Sequence, residues 1–311
     1  MQLGQLSHPQ LAEALRKGAA LQIGPFAVRL RSDVQQLVAP LHFFYAHQEL
    51  LEASHQRVCD LYLQLTASRG IRRWWRPQVR LQGDAAPALH PFPQDHAFPY
   101  FEWGLNHSIA SQAQNYLMLH AGVVARNGRL LLMPAPPTTG KSTLTAALTL
   151  RGWGCYTDEI ALLNPRTHHF APLPRPIALK NESIELIQSF APQAEIGPHF
   201  PNTRKGTVAH LALPATSLAI TQQPAQAAWI LFLRRQPGSR PLCRRMSEEE
   251  AFLGLAGNAF NYEIQGAQGF RAITHLIRTC HLFELTYDDL ERGVQAVEAI
   301  TGDHPARCDC K

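Results

Sequence analysis

The sequence predicts an α/β protein with two parts, a smaller α+β domain over residues 1–95 and a phosphate-binding domain over residues 96–311. Three observations support this division. Residues 130–151 have the pattern of a buried strand, a tight loop and a helix, which is the local context of a phosphate-binding loop. Residues 1–81 alternate between short helical and strand patterns. Residues 85–99 are rich in proline, which favours a loop between domains.

Short elements are expected throughout the amino-terminal domain. Ser7 to Lys17 is a predicted helix, because Ser7 can cap it and Gly18 follows it. Apolar and polar residues alternate on both sides of Gly24-Pro25, which indicates two strands around a turn. The other predicted elements are a helix that begins at Ser32-Asp33, a strand from Val58 to Leu65, and a partner strand from Val79 to Leu81.

Helices and strands follow one another in the second domain. A helical repeat covers Tyr100 to Leu119, and Leu117 to Ala125 has a strand pattern. Asn127-Gly128 predicts a type I′ hairpin turn that joins this strand to Leu130–Met133. The remaining predicted strands are Trp153–Leu163, Val208–Leu211, Trp229–Leu233 and His281–Tyr287, and the remaining helices are Ser142–Arg151, Glu182–Phe190 with Asn181 as its cap, Ser247–Ala259, Gly269–Arg278 and Leu290–Ile300.

The loop before the first of these helices is the main functional signal. It follows the pattern G-x-x-x-x-G-K-[ST], with Ala135 at the first position. Backbone N–H groups at a helix start carry partial positive charge and lack partners within the helix, so a phosphate can accept from them. Lys141 is expected to contact the β- and γ-phosphates and Ser142 to ligate Mg²⁺. The predicted nucleotide contacts are Ala135, Thr138, Thr139, Gly140, Lys141, Ser142 and Thr143. The alternative is a Gly-Lys-Ser turn that opens an ordinary helix.

Two pairs of charged residues, one acidic and one basic, follow the loop. Asp158 and Glu159 interrupt an apolar strand seventeen and eighteen residues after Lys141. Buried carboxylates require a cation, and a magnesium nucleotide supplies one; the alternative is a strand end exposed to water. Arg204 and Lys205, beside Gly206, suit a phosphate or an acidic substrate; the alternative is a pair of solvated basic residues.

Composition limits the classes of partner. The chain is 45% apolar and 17% charged, so it can bury a core. It contains no apolar run of about 18 residues and no apolar signal core, so we expect a cytoplasmic protein without a membrane partner. The net charge of +5 favours an anionic partner, which a nucleotide satisfies as well as a nucleic acid would.

Two further clusters have alternative interpretations. The cluster Arg72-Arg73-Trp74-Trp75-Arg76 could bind single-stranded nucleic acid or a protein substrate. We favour a structural interpretation, in which the tryptophans cover a small sheet and the arginines stay in contact with solvent. The six cysteines are expected to be reduced thiols. Cys308 and Cys310, near His304, lack the spacing of a zinc knuckle, so a frayed tail is favoured over a metal site.

Taken as an ordered set, these residues resemble the HPr kinase/phosphorylase superfamily, and more closely its group of HPr-kinase-related proteins. The resemblance covers roughly residues 96–300, and residues 1–95 also look like the amino-terminal region of that group. The residues that carry it are Leu119-His120-Ala121-Gly122, Asn127-Gly128, Gly140-Lys141-Ser142 and Asp158-Glu159, with the segments Arg175–Asn181 and Thr203–Leu211.

The resemblance implies a mixed-sheet P-loop kinase domain of the type shared with phosphoenolpyruvate carboxykinase. It implies ATP and Mg²⁺ as ligands. It makes Asp158 the base that takes a proton from an acceptor hydroxyl, Glu159 a metal ligand, and His120 a group that hydrogen-bonds and orients Asp158. Lys141 and Ser142 become the phosphate and Mg²⁺ contacts. The segment by which HPr kinases recognise their protein substrate has no match here, so the acceptor stays open.

The function expected from the sequence is therefore ATP-dependent phosphoryl transfer to a hydroxyl, most readily that of Ser or Thr in a peptide or small protein, with residues 1–95 as a candidate recognition domain. A small-molecule kinase is an alternative. A non-catalytic nucleotide sensor is another, because Ala135 and the two following prolines could stiffen a loop that binds without turnover. The hypothesis of a nucleic-acid-binding regulator rests only on the net charge and the arginine–tryptophan cluster, so we disfavour it. A homo-oligomer is compatible with the sequence.

Overall fold

The computed structural model describes residues 1–51, 58–68, 70, 75–83, 90–136 and 139–302. The chain divides into two compact units: residues 1–113 with 196–212, and residues 114–195 with 213–311. Arg72, Arg73 and Trp74 of the basic–aromatic cluster, Pro137 and Thr138 of the loop, and the Cys308/Cys310 tail lie outside the described residues. The cysteines within them are buried and form no disulfide: Cys59, Cys155, Cys243 and Cys280.

Elements are numbered along the chain. The helices are α1 (His8–Lys17), α2 (Val38–Tyr45), α3 (Ala97–Gln112), α4 (Lys141–Leu150), α5 (Glu182–Phe190), α6 (Ala215–Thr221), α7 (Glu248–Gly257), α8 (Tyr262–Thr279) and α9 (Leu290–Thr301). The strands of the first unit are β1 (Ala19–Ile23), β2 (Phe26–Ser32), β3 (Leu50–Leu51), β4 (Leu61–Ala67), β5 (Gln78–Gly83), β6 (Phe92–Pro93), β13 (Phe200–Thr203) and β14 (Gly206–Leu211). Those of the second are β7 (Leu117–Arg126), β8 (Arg129–Pro134), β9 (Gly154–Thr157), β10 (Ile160–Leu163), β11 (Phe170–Ala171), β12 (Ile177–Lys180), β15 (Gln226–Arg235), β16 (Leu242–Arg245) and β17 (His281–Tyr287).

The first unit contains a mixed sheet in the order β3-β1-β2-β4-β5-β6. Strands β1 and β2 pair antiparallel around the predicted turn, and β4 pairs antiparallel with β5, opposing Leu65 to Leu81. These predicted strands are confirmed, as is α1, which Ser7 caps and Gly18 ends with φ of 94°. The helix expected from Ser32 instead begins with a 3₁₀ turn at Gln35, because the Ser32 side chain accepts from the Val34 N–H and holds the chain extended there.

The division between the units falls later than the boundary expected near residue 95. Helix α3 belongs to the first unit, because it packs on β4 and β5. The Tyr45 hydroxyl donates to Glu102 of α3, and the rings of Tyr45 and Phe101 lie 5.8 Å apart. Helical periodicity predicts α3 itself, but it does not identify the sheet against which the apolar face of α3 is buried.

The second unit is built on a mixed sheet in the order β11-β10-β7-β8-β15-β17-β16, with β9 also paired to β7. Strand β8 runs antiparallel to β7 and parallel to β15, which is parallel to β17. The hairpin turn is confirmed, since Asn127 and Gly128 have φ of 51° and 72°. A mixed α/β architecture is therefore confirmed for the chain, and the predicted phosphate-binding loop leaves the carboxyl end of a strand that has neighbours on both sides.

The sheet of the second unit separates two sets of helices. Alternate residues of β7, among them Leu119, Ala121 and Val123, join a core with α7 and α8. The intervening Gly122 faces α4 instead, because successive residues of a strand point to opposite faces. His120 lies two residues before Gly122, so the strand pattern puts the His120 side chain on the same face of the sheet as the loop helix.

The strand predicted over Trp153–Leu163 is in fact two strands. Val123 and Val124 of β7 pair with β9, whereas His120 pairs with Ile160 at the start of β10. The chain bends between them at Asp158 and Glu159. A bend removes these two residues from the ladder, so their side chains can turn toward α4.

Candidate phosphate-binding site

The loop between β8 and α4 is anchored at its start. Ala135 is fully buried, and its N–H lies 3.4 Å from the carbonyl oxygen of His120 on β7. The Thr139 hydroxyl donates to the Pro136 carbonyl at 3.0 Å. Residues 137 and 138 lie outside the described residues, so the contact assigned to Thr138 stays a prediction.

Gly140 begins the loop helix in a conformation that favours glycine. Its φ is 87°, in the left-handed region, and a Cβ there would lie 2.9 Å from the Tyr287 hydroxyl oxygen. The N-cap residue of α4 is Gly140, which has no side chain with which to cap the helix. The first N–H groups of α4 have no partner within the helix, and such groups can donate to an anion.

Lys141 points away from solvent and toward the bend. Its side chain is 7% exposed, its Nζ donates to the main-chain carbonyl of Asp158, and the Nζ–Oδ1 distance to the Asp158 carboxylate is 3.5 Å. Gly122 makes room for this arrangement, because a Cβ at Gly122 would lie 2.4 Å from Thr145 Oγ1 and 3.5 Å from Lys141 Cγ. The small residue on β7 therefore sets how closely the first turn of α4 approaches the sheet.

Asp158 is the buried acid of the site. Its side chain is 10% exposed, and the Ser142 hydroxyl hydrogen-bonds its carboxylate. Within the described part of the chain, Asp158 Oδ1 accepts no hydrogen bond. Burial raises the pKa of this carboxyl above its ordinary value, and the charge of Lys141 and the Ser142 hydrogen bond oppose that rise.

His120 and Glu159 flank this centre without completing the predicted dyad. The hydrogen bond expected from His120 to Asp158 is not among the bonds that the described residues make, because the Asp158 carboxylate is turned toward Lys141 and Ser142. The His120 ring instead contacts Phe260 edge-on at 5.8 Å. Burial, with Lys141 nearby, lowers the pKa of His120 to about 4, against an opposing effect of Glu159. Glu159 is half-buried at the bend.

The other predicted contacts are on the first unit. Arg204 and Lys205 form the turn between β13 and β14 and are exposed. The Arg204 guanidinium lies 5.6 Å from the centre of the Phe92 ring, and Lys205 Nζ lies 5.4 Å from that of Trp103. Their aromatic neighbours account for their positions, and their contact with a phosphate stays a prediction.

Asn181 lies at the predicted start of α5. It occupies the N-cap position of α5 with φ of 50°, but its side chain makes no capping hydrogen bond. The Ser183 hydroxyl bonds the backbone of Lys180 there instead, accepting from its N–H at 2.7 Å.

The donor set suits Mg²⁺ held together with phosphates. No cluster of three or more His, Cys, Asp or Glu side chains arranged for a metal occurs among the described residues. Mg²⁺ does not require one, since it is usually held by one or two carboxylates, water and substrate phosphates. Ser142, Asp158 and Glu159 supply oxygen donors of that kind, and the unbonded Asp158 Oδ1 is a buried acceptor that a cation or a hydroxyl would satisfy.

One part of the site gave no sequence signal. A cavity of about 310 Å³ adjoins Gly140 and Thr143, and its wall includes Arg235 and Tyr287. These residues end β15 and β17, which are parallel to β8 and pair with each other. Ligands of α/β sheets bind at the carboxyl ends of parallel strands. That rule could have found these residues only once the strand order was known.

Comparison with known proteins adds no family. No family model matches the chain, and no curated protein matches it significantly. None of the helices in the described ranges has the length and apolar character needed to cross a bilayer.

Proposed function

We propose that the chain is an Mg²⁺-ATP-dependent kinase that transfers a phosphoryl group to a hydroxyl acceptor, the Ser or Thr of a peptide or small protein. In this proposal the second unit is a mixed-sheet P-loop domain of the HPr kinase/phosphoenolpyruvate carboxykinase type. The observation that carries the proposal is the contact of the buried Asp158 carboxylate with Lys141 and Ser142, the two side chains that open the loop helix.

The loop residues act by holding the donor. Phosphoryl transfer needs mainly positioning and charge neutralisation from the protein. The unpaired N–H groups at the start of α4 donate to phosphate oxygens, and Lys141 balances their negative charge. Bound Mg²⁺, held by Ser142 and Glu159, would neutralise charge on the β- and γ-phosphates.

Asp158 acts on the acceptor. Its Oδ1 takes the proton of the acceptor hydroxyl as the acceptor oxygen bonds to the γ-phosphorus, and the bond from that phosphorus to the bridging oxygen breaks to release ADP. A pKa raised by burial makes this carboxylate a better proton acceptor than a solvated aspartate, and the charge of Lys141 opposes that rise. The low exposure of both side chains keeps bulk water from competing for the transfer.

His120 contributes as a neutral ring. With a pKa lowered to about 4, it carries no charge at neutral pH. A neutral imidazole beside Lys141 and Glu159 adds no positive charge that would repel Mg²⁺. We therefore assign His120 to packing and orientation of the bend and give it no proton-transfer step.

A nucleotide sensor is the second candidate, and one observation favours it. Lys141 Nζ bonds the main chain of Asp158 and pairs with its carboxylate. A phosphate that drew Lys141 away would free the bend at Asp158, so binding alone could change the surface around β9 and β10. A sensor would bind ATP without turning it over.

Transfer of labelled phosphate from γ-³²P-ATP decides between the two. Purified protein with Mg²⁺ is incubated with Ser- and Thr-containing peptides and with small alcohols, and ADP release is followed in parallel. We expect label on a hydroxyl acceptor, and loss of that label in Asp158→Asn. ATP binding without any Asp158-dependent ADP release would support the sensor and overturn the kinase.

A further inference from the structure

We propose that the cavity beside Gly140, Thr143, Arg235 and Tyr287 binds the nucleoside end of the nucleotide, with Arg235 and the Tyr287 hydroxyl on the phosphate next to the sugar. This inference rests on the proposed function, since it assumes that the loop takes a nucleoside di- or triphosphate. It adds the direction in which the nucleotide lies and the residues beside its nucleoside end.

The first turn of α4 gives the direction. Lys141 and Ser142 point toward Asp158 on one side of the helix start. Gly140 and Thr143 line the cavity on the other side. A chain of phosphates across the helix start therefore has one end at the buried carboxylate, where transfer would occur, and the other at the cavity. The cavity, at about 310 Å³, has the size expected for a small-molecule site.

Tyr287 supplies an independent indication of a ligand. The residue is 3% exposed, and its ring packs against Gly293 of α9. Its hydroxyl makes no hydrogen bond within the described part of the chain, although it reaches the backbone of Gly140 and lines the cavity. A phosphate or ribose oxygen in the cavity would give this hydroxyl a hydrogen-bond partner. Burial raises its pKa to about 12, so the phenol remains a donor at neutral pH.

Arg235 is the cation of this cavity. It pairs in register with Tyr287 at the carboxyl ends of β15 and β17, and its Cδ lies 3.9 Å from a Cβ built on Gly140. None of the ion pairs found in the described ranges uses Arg235. A guanidinium next to a helix start suits a phosphate, since both offer N–H donors and positive charge.

The rest of the wall suits a sugar and a base. Leu186 and Leu290 give apolar surface for a base. Glu182, Glu185 and Asp288 give carboxylates, of which Asp288 also accepts from the Gly238 N–H at 2.8 Å. Carboxylates accept from ribose hydroxyls in other nucleotide sites, and they would repel a phosphate placed there. The acidic side of the cavity therefore suits the uncharged end of the nucleotide.

Binding of Mg-ADP and of Mg-pyrophosphate, measured by calorimetry, tests the inference. Pyrophosphate fills only the phosphate positions, so wild type should bind ADP more tightly. Pyrophosphate also fills the phosphate position beside the cavity, so Tyr287→Phe should weaken binding of both ligands about fivefold and Arg235→Gln about tenfold. Tyr156→Phe, whose hydroxyl donates to the Gln223 carbonyl, and Arg234→Gln are the matched controls and should leave both affinities unchanged.

A bulky residue in the cavity wall gives a second test, which acts by steric exclusion. Ser189 is exposed on α5 and lines the cavity, so Ser189→Trp should block ADP but not pyrophosphate. Gln188→Trp, exposed on the same helix outside the cavity wall, is its control.

The outcomes separate the two proposals. Equal affinity of wild type for both ligands, equal loss of both in Ser189→Trp, or unchanged ADP affinity in Tyr287→Phe and Arg235→Gln would overturn the nucleoside site and leave the kinase proposal standing. A wild-type protein that bound neither ligand would overturn the kinase proposal, and this inference with it.

Discussion

Lys141 Nζ lies 3.5 Å from the Asp158 carboxylate and donates to the main-chain carbonyl of the same residue. This relationship joins the start of the loop helix to the bend between β9 and β10, seventeen residues apart in the chain. It closes the site around a carboxylate that is almost fully buried. Both the chemistry proposed for the site and its stability depend on this contact.

Replacing the buried carboxylate should separate binding from transfer. Asp158→Asn keeps the size of the side chain but removes the proton acceptor, so we expect phosphoryl transfer to fall about 10²- to 10⁴-fold. ADP affinity should change by less than about threefold, because the loop N–H groups and Lys141 remain. Label transfer and calorimetry measure the two effects. Glu291→Gln, which removes a surface carboxylate paired with Arg151, should leave both unchanged. Full transfer by Asp158→Asn would contradict the base assignment.

Removing the buried cation should make stability depend on pH. Lys141→Met leaves Asp158 buried without its ammonium, so the pKa of Asp158, already raised by burial, rises further. The folded state then binds a proton that the unfolded state releases. Stability is therefore retained at low pH and is lost as pH rises from the unfolded pKa, near 3.9, through the folded pKa.

Thermal unfolding at several pH values measures this effect. We expect the loss of Tm in Lys141→Met, relative to wild type, to be larger at pH 8 than at pH 5. Lys17→Met, at an exposed pair with Glu13, should show no such difference. A pH-independent loss in Lys141→Met would mean that packing, and not charge, accounts for the contact.

The ionisation of His120 is directly measurable. Because its pKa is lowered to about 4, its ring should remain neutral down to pH 5, whereas an exposed histidine titrates near 6.5. Imidazole chemical shifts followed by NMR, with His120→Gln to assign the signal, test this expectation. A midpoint at or above 6 would show that the ring is charged near neutral pH and would reopen a proton-transfer role for it.

The close approach of α4 to the sheet predicts a paired substitution. Gly122→Ala puts a Cβ 2.4 Å from Thr145 Oγ1, so the helix must shift, at a cost of about 1–3 kcal/mol in unfolding free energy. Thr145→Ala alone should cost about 1 kcal/mol, because it removes the hydrogen bond from Oγ1 to the Lys141 carbonyl.

The double variant is diagnostic. In Gly122→Ala/Thr145→Ala the clashing oxygen is gone, so urea unfolding should show a smaller loss than the sum of the two single variants. Simple additivity would indicate that Gly122 has no role in fitting α4 against β7.

Local pattern was sufficient for much of this structure. Ser7 and Gly18 bound the first helix, Asn127-Gly128 makes the hairpin, and Gly140 begins the loop helix, because each depends on backbone conformations that a few neighbouring residues determine. Short or irregular elements gave no such signal. Strands β11, β12 and β16 span only two to four residues, too few for a period to be read.

What the sequence by itself determined is a loop between a buried strand and a helix, with the pattern of a phosphate-binding loop, followed by two acidic residues. Tertiary structure decided which side chains lie together at the start of the loop helix. The order of strands brings Arg235 and Tyr287 beside Gly140, and the bend at Asp158 turns its carboxylate to Lys141. Neither follows from spacing along the chain, because side-chain direction at a sheet edge depends on which strands pair and where the ladder breaks.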